Sequence, residues 1–154
     1  MKLHLRIYLF IAFLVLSSCF LFNPIMAQTE NLNLESEKCF NIFWTEFREA
    51  VIKCDTTKLV ILIHFPLKVS GERDEDSVMY LRKDNFIPYY RKFLLNTSFF
   101  IEGRYITNFE YIRITKTPKK ATIFQETETW KRIGDLEFEK IKNKWGLTLI
   151  YCHR

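Results

Sequence analysis

Large apolar side chains recur at three- and four-residue spacings between residues 36 and 55. Such spacing places them on one face of an α-helix, and the opposite face of the same segment is charged. The apolar positions are Phe40, Phe43, Trp44, Phe47, Val51 and Cys54. Ser36 is the expected N-cap. A stripe of this width needs a broad apolar surface opposite it, so the pattern predicts a helix from Ser36 to Asp55 that packs on a sheet.

The next segment combines an ambiguous apolar run with a hairpin pattern. The run 58–65 fits a helix and a strand equally well, and Pro66 is expected to end it in either case. Two short alternating segments, 66–70 and 78–82, flank the turn-rich stretch 71–77. That order predicts two antiparallel strands joined by a charged loop.

A further helix and a strand-rich half complete the pattern. Asn85 is the expected cap of a helix from Phe86 to Asn96, on which Tyr89 and Tyr90 are adjacent, so that only one of them can face the core. The predicted strand segments, rich in β-branched and aromatic residues, are 100–115, interrupted at Glu102 and Gly103, then 121–126, 132–141 and 144–152. The last segment is apolar on both faces, which places it in the centre of the sheet.

This order of elements is typical of a single α+β domain. We expect residues 36–154 to form a curved antiparallel sheet with two or three helices on one side, the long N-terminal helix among them. The chain has 154 residues, 48% of them apolar, which is sufficient for one well-filled core.

The first 27 residues predict an export signal. Lys2 and Arg6 precede an apolar stretch, and cleavage is expected after Ala27. A second interpretation stays open, because Leu-Ser-Ser-Cys ending at Cys19 resembles a lipobox, which would make Cys19 a lipidated residue. A third is a membrane anchor, although the stretch is shorter than the ~20 residues of a spanning helix. Residues 28–35 are the expected flexible lead-in, and the predicted location is periplasmic or secreted.

The charge pattern does not favour a nucleic-acid partner. The chain has 23 basic and 18 acidic residues, and removal of Lys2 and Arg6 with the leader leaves 21 against 18, a net charge of +3. The densest basic patch consists of Lys116, Lys119 and Lys120. It is shorter than the basic stripe that nucleic-acid binding requires, so no nucleic acid is predicted.

Three cysteines remain beyond the predicted leader, namely Cys39, Cys54 and Cys152. An exported protein usually pairs its cysteines. Cys39 and Cys54 lie 15 residues apart on the predicted helix, hence ~22 Å at 1.5 Å per residue, too far for a bridge. A disulfide would therefore join Cys152 to Cys39 or Cys54. The alternative is that all three are small buried side chains without a bridge.

A small isomerase or dehydratase needs an acid or base in an apolar pocket, often beside a tyrosine. The candidates by residue type and place are Asp55, His64, Tyr89, Tyr90 and Asp135. Their spacing forms no recognisable pair, and His64 within an apolar run is typical of a hydrogen-bonded structural histidine. The sequence has no HExxH or CxxC motif and no clustered glycines, so neither a metal nor a cofactor is predicted.

Three stretches resemble the nuclear transport factor 2-like superfamily, whose members form a cystatin-like α+β cone. They are FWTEFREAVIKCD (43–55), DTTKLVILIHFPLKV (55–69) and RIGDLEFEKIKNKWGLTLIY (132–151). The resemblance implies a sheet wrapped around the long helix, with a pocket at the open end of the cone. It also implies a homodimer through the open sheet face, since members of this superfamily often associate in that way.

Two functions stay open at this point. The first is an exported, non-catalytic binding or interaction protein of the cell envelope, which would bind a small apolar ligand or a protein partner. The alternative is a small isomerase- or dehydratase-type enzyme that uses acid and Tyr groups in the cone pocket. The lack of a catalytic constellation favours the first. Membrane association is expected only if Cys19 is lipidated.

Overall fold

The computed structural model describes residues 35–71, 73, 75–119 and 123–152. The chain divides into two compact units after Lys38, and the packing described below lies within the second unit, from Cys39 onward. The predicted leader, the lipidation candidate Cys19 and residues 28–34 of the predicted lead-in lie outside the described residues.

The first helix, α1, covers residues 35–52 and confirms the predicted amphipathic helix. Both ends of the helix differ from the prediction. Ser36 lies within the helix rather than at its cap, and Cys54 lies beyond its end. Cys54 has a left-handed backbone (φ 52°), and the amide of Asp55 donates to the carbonyl of Ala50 (2.9 Å). This C-terminal motif ends α1 and turns Cys54 towards solvent, so Cys54 does not belong to the apolar face.

The ambiguous run 58–65 contains parts of two elements. Helix α2 covers Thr56–Ile61, and strand β1 covers Ile63–Ser70. The prediction that Pro66 ends the run is wrong, because β1 continues through it. The pairing of β1 with strand β8 (Lys144–Tyr151) changes register between Ile63 and Lys68, so Pro66 lies in the irregular part of the ladder, where proline is tolerated.

The main sheet has six strands in the order β2-β1-β8-β7-β6-β5. The bounds of its other members are Met79–Leu81 (β2), Ile123–Glu126 (β5), Trp130–Ile133 (β6) and Leu136–Ile141 (β7). The predicted hairpin of β1 and β2 and the central position of β8 are confirmed. The prediction of an antiparallel sheet is wrong, because β1 runs parallel to β8. The sheet is therefore mixed.

Helix α3 covers Phe86–Tyr90 and continues as a π-helical turn over Arg91–Leu95, close to the predicted bounds. Asn85 occupies the N-cap position, but its side chain makes no capping hydrogen bond. Tyr90 is buried and Tyr89 is 40% exposed, which confirms that only one of the two tyrosines faces the core.

The segment predicted as strand 100–115 contains a small hairpin and a fourth helix. Strands β3 (Ser98–Ile101) and β4 (Arg104–Thr107) form a separate two-stranded sheet. Helix α4 then covers Asn108–Ile114, where a strand was predicted. The hydroxyl of Thr107 accepts a hydrogen bond from the amide of Glu110 (3.1 Å), which caps this helix. The described residues thus form an α+β fold with four helices rather than two or three.

Helix α1 packs on β7 and β8, as the apolar stripe predicted. The ring of Phe138 on β7 lies at its centre, with centroid distances of 5.9, 5.6, 5.8 and 5.3 Å to Phe40, Phe43, Trp44 and Phe47. All five rings are buried. Edge-to-face contacts of this kind add to the stabilisation from burial of the rings.

Two side chains of α1 also hold the end of α4. The indole Nε1 of Trp44 donates to the carbonyl of Thr115 (3.0 Å). The guanidinium of Arg48 donates to the carbonyls of Ile112 (3.1 Å) and Arg113 (2.6 Å), which are among the last carbonyls of the helix. The C-terminus of α4 is therefore fixed relative to α1. Within the described ranges, no helix is both long and apolar enough to cross a membrane.

Candidate functional site

Two of the predicted catalytic residues stabilise local structure. The Asp55 carboxylate is exposed and caps α2, accepting from the amide of Lys58 (2.9 Å). The Nε2 atom of His64 lies 3.1 Å from the carbonyl of Lys144 at the start of β8. The imidazole packs against Gly146, where an added Cβ would lie 2.6 Å from the His64 Cδ2 atom. His64 thus has the contacts of a structural histidine that needs a glycine beside it.

Of the other three candidates, Tyr89 and Tyr90 lie on α3 and Asp135 lies in a turn of the main sheet. Tyr89 stacks on Phe93 at the surface (5.9 Å between centroids), while the buried Tyr90 accepts from the Nε of Arg91 (3.4 Å). Asp135 is 2% exposed in the turn between β6 and β7. None of the five predicted catalytic residues lines either of the two clefts described next.

The first cleft has a volume of about 600 Å³ and lies between the β3–β4 hairpin and the end of α4. We call it the hairpin cleft. Its lining residues are Ile101, Glu102, Arg104, Ile106, Tyr111, Ile114, Thr115, Lys116, Thr117 and Lys119. Alternation along the two strands explains its wall, because Phe99 pairs with Ile106 and Ile101 with Arg104 on the face turned to α4. A volume of this size is typical of small-molecule sites.

The hairpin cleft combines an apolar interior with charged groups. Tyr111 is buried, and its ring meets that of Phe99 edge to face (5.1 Å). Burial raises the pKa of Tyr111, and the nearby charge of Glu102 raises that pKa further. The Tyr111 hydroxyl therefore keeps its proton at neutral pH. Arg104, Lys116 and Lys119 bring three positive charges to the lining against the one negative charge of Glu102.

The opposite face of the same hairpin carries an exposed aromatic pair. Phe100 and Tyr105 are directly opposite each other on β3 and β4 and are 62% and 74% exposed. Their rings lie 5.3 Å apart in an edge-to-face arrangement. The side of the hairpin that faces away from the cleft is thus aromatic.

The second cleft, of about 570 Å³, has Cys152 in its lining. The Sγ of Cys152 lies 3.6 Å from the hydroxyl of Thr97. Burial raises the pKa of the Cys152 thiol, and the charge of Asp135 acts in the same direction, while Thr97 and Lys92 oppose it. Because the thiolate is the nucleophilic form, this environment does not activate Cys152 for covalent catalysis.

The structure has Cys39, Cys54 and Cys152 as free thiols, so the predicted bridge from Cys152 to Cys39 or Cys54 is not formed in it. The alternative prediction of three buried cysteines is wrong for Cys39 and Cys54, which are exposed. Cys54 is exposed because it lies in the turn after α1 rather than on its apolar face.

We expect iodoacetamide to modify Cys152 of the folded protein at least about tenfold more slowly than Cys39 and Cys54 at pH 8, because its raised pKa lowers the thiolate fraction. The rate at Cys152 should rise as the pH is raised above 8, because the thiolate fraction of Cys152 then increases. Peptide mass spectrometry of time points checks this, with the urea-unfolded protein as control. Equal rates at all three cysteines in the folded protein would contradict it.

The sheet face opposite α1, which we call the outer face, has a polar network around Glu137. The Glu137 carboxylate accepts from the Trp130 Nε1 (3.2 Å) and the Tyr151 hydroxyl (2.8 Å), and the guanidinium of Arg132 lies 4.0 Å from the Tyr151 ring centroid. Leu149 is buried but separate from the main core cluster. The described part of the outer face thus carries a network of half-buried side chains, and the homodimer through it stays a prediction.

The residues of the hairpin cleft were not recognised as a site from the sequence. Lys116 and Lys119 belong to the predicted basic patch, but Arg104 and Glu102 belong to a hairpin that only the fold brings next to α4.

The described residues contain no group of three His, Cys, Asp or Glu that could hold a metal ion. Comparison of the chain with models of protein families, curated proteins and solved structures gives no significant match.

Proposed function

We propose that this chain is an exported, non-catalytic binding protein and that the hairpin cleft is its site for a small molecule. The main observation in support of this proposal is the composition of the cleft lining. It combines apolar side chains, a buried tyrosine hydroxyl and several charged groups in a volume suited to a small ligand. None of the predicted catalytic residues lies in its lining.

The alternative, an isomerase- or dehydratase-type enzyme, has less support. It needs an acid or base and a tyrosine in one pocket. Asp55 caps a helix, Tyr89 lies at the surface, and His64 contacts the backbone of β8. Within the hairpin cleft, Tyr111 and Glu102 come closest to such a pair, and Glu102 is solvent-exposed at the tip of the hairpin rather than inside an apolar pocket.

The cystatin-like cone of the nuclear transport factor 2-like superfamily stays part of the proposal. The packing of the long helix α1 across β7 and β8 supports it. The parallel pairing of β1 with β8 departs from the antiparallel sheet that the resemblance implies. Export rests on the predicted leader of residues 1–27, and the same leader supports the predicted periplasmic or secreted location.

Native mass spectrometry of the full-length, processed protein tests the binding function. We expect added mass that leaves on denaturation after incubation with an extract of the expressing cells. Ile114→Trp should remove it, because Ile114 lines the cleft and an indole there would fill it. Ile141→Trp is the matched control, since Ile141 is also exposed (43% against 50%) and lies outside the cleft lining. Added mass that Ile114→Trp leaves intact would reject the hairpin cleft as the site.

A further inference from the structure

The charged groups of the hairpin cleft have a definite arrangement. Lys116 and Lys119 follow the end of α4, and Arg104 lies on β4. The segment that carries the two lysines is held at both ends by hydrogen bonds. The Thr115 carbonyl accepts from the Trp44 indole (3.0 Å), and the Lys119 carbonyl accepts from the Ile123 amide (3.1 Å). The main chain that carries the two lysines is therefore held in place at Thr115 and Lys119.

Arg104 brings a third positive charge to the lining. Its guanidinium lies 3.9 Å from the carboxylate of Glu110, and both side chains are largely exposed. A contact of this length and exposure is a weak ion pair, which partly offsets the charge of Arg104. Arg104 therefore adds to the positive charge that Lys116 and Lys119 bring to the lining.

Glu102 also lines the cleft and lies at the tip of the hairpin, between β3 and β4. Its charge adds to the effect of burial in raising the pKa of Tyr111. A ligand with one negative group would be repelled from Glu102 and attracted to the lysines. The charges of the lining thus favour an anionic group at the lysines over one at Glu102.

The remaining lining is apolar. Ile106 is buried, while Ile101 and Ile114 are partly accessible along the cleft. Three isoleucines in this position provide a surface for a hydrocarbon body, whose burial stabilises by ~25 cal/mol per Å². A fully polar anion such as inorganic phosphate would leave that surface in contact with water.

We infer that the ligand of the hairpin cleft is a free amphipathic monoanion of the fatty-acid class, with its carboxylate at Lys116 and Lys119 and its alkyl chain along the isoleucines. This inference rests on the proposed binding function and names the class of ligand. A carboxylate there accepts charge-assisted hydrogen bonds from the ammonium groups.

The test uses dodecanoate below its critical micelle concentration and 1-dodecanol, which has the same chain without the charge. Titration calorimetry of the full-length, processed protein should show dodecanoate binding about tenfold more tightly than dodecanol. Raising the salt to about 0.5 M should reduce that difference by screening the charges.

Single charge changes give responses of opposite sign. Lys116→Glu should weaken dodecanoate binding about five- to tenfold, and Glu102→Gln should strengthen it about two- to fivefold, with dodecanol binding unchanged in both. Lys83→Glu is the matched control, because Lys83 is exposed, carries the same charge and lies outside the cleft lining. It should leave both affinities unchanged.

The remaining outcomes separate the inference from the proposed function. Equal affinities for dodecanoate and dodecanol, both abolished by Ile114→Trp, would overturn the inference and leave the binding function standing. If the protein bound neither dodecanoate nor dodecanol, the inference would be overturned. The binding function would still be supported if native spectra showed added mass that Ile114→Trp removes. Lys116-dependent binding to phosphatidylglycerol vesicles without dodecanoate binding would also overturn the inference, because the lysines would then recognise a membrane.

Discussion

Replacement of Trp44 by alanine is expected to lower the free energy of unfolding by ~3 to 5 kcal/mol, as large-to-small substitutions in a packed core do. The Trp44 side chain is fully buried. Its ring contacts those of Phe47 and Phe138 at 6.1 and 5.8 Å between centroids. Alanine would leave a cavity between α1 and β7, and it would also leave the carbonyl of Thr115 without the indole donor.

Urea unfolding followed by circular dichroism measures this change. Trp44→Phe should lose less, because it retains most of the ring volume and forfeits mainly the hydrogen bond to Thr115. Ile42→Ala is the control on the same helix, since Ile42 is 57% exposed and should change stability by no more than ~0.5 kcal/mol. A loss below ~1 kcal/mol for Trp44→Ala would contradict the central role of this tryptophan in the core.

Helix α1 was predictable because its information is local. Phe40, Phe47 and Val51 recur at helical spacing, which predicts that they share the buried face of the helix, and all three are buried. The error at Cys54 has a local cause that periodicity does not detect. The sequence continues the apolar spacing into a residue whose backbone is left-handed, a conformation in which glycine is the usual choice.

The sequence pattern predicted a strand in place of helix α4, because the strand preference of its residues conceals the N-capping pattern that precedes it. Ile112, Tyr111 and Phe109 are good strand formers, and the segment was therefore assigned to the sheet. Yet Thr107 and Glu110 have the spacing of a capping box, and the Thr107 hydroxyl does cap the helix. This signal was present in the sequence. The direction of β1 relative to β8 was not, since alternation specifies which face of a strand is buried and not which neighbour it pairs with.

The candidate site was the least predictable feature, because its charges come from separate elements. Lys116 follows α4, whereas Glu102 lies at the tip of the β3–β4 hairpin, and neither α4 nor the separate two-stranded sheet was foreseen. Conversely, the predicted candidate Asp135 is an acid buried in the turn between β6 and β7, and it belongs to the lining of neither cleft. Residue type alone identified groups with suitable chemistry, but placement in a common cleft depends on the tertiary fold.

Lys131 is a charged residue that is buried in the core. It lies on β6 with its ammonium 5.4 Å from the centroid of the Phe40 ring, and it is only 4% exposed. Its partner is Glu126, directly opposite on β5, with which it forms an ion pair. The Glu126 side chain is 31% exposed, so the pair connects the interior to the edge of the sheet.

Glu126→Gln is therefore expected to lower the free energy of unfolding by about 2 to 3 kcal/mol. This loss is at or below the lower end of the range for a buried ion pair that loses one partner, because Glu126 is partly solvated. Lys131→Met should change stability by less than ~1 kcal/mol, since it removes the buried charge and keeps the hydrocarbon volume. In the Lys131→Met background, Glu126→Gln should then have almost no effect, which urea unfolding of the four proteins measures. Equal losses from Glu126→Gln in both backgrounds would show that Glu126 stabilises the sheet by something other than its charge on Lys131, and the buried ammonium would then need a different partner.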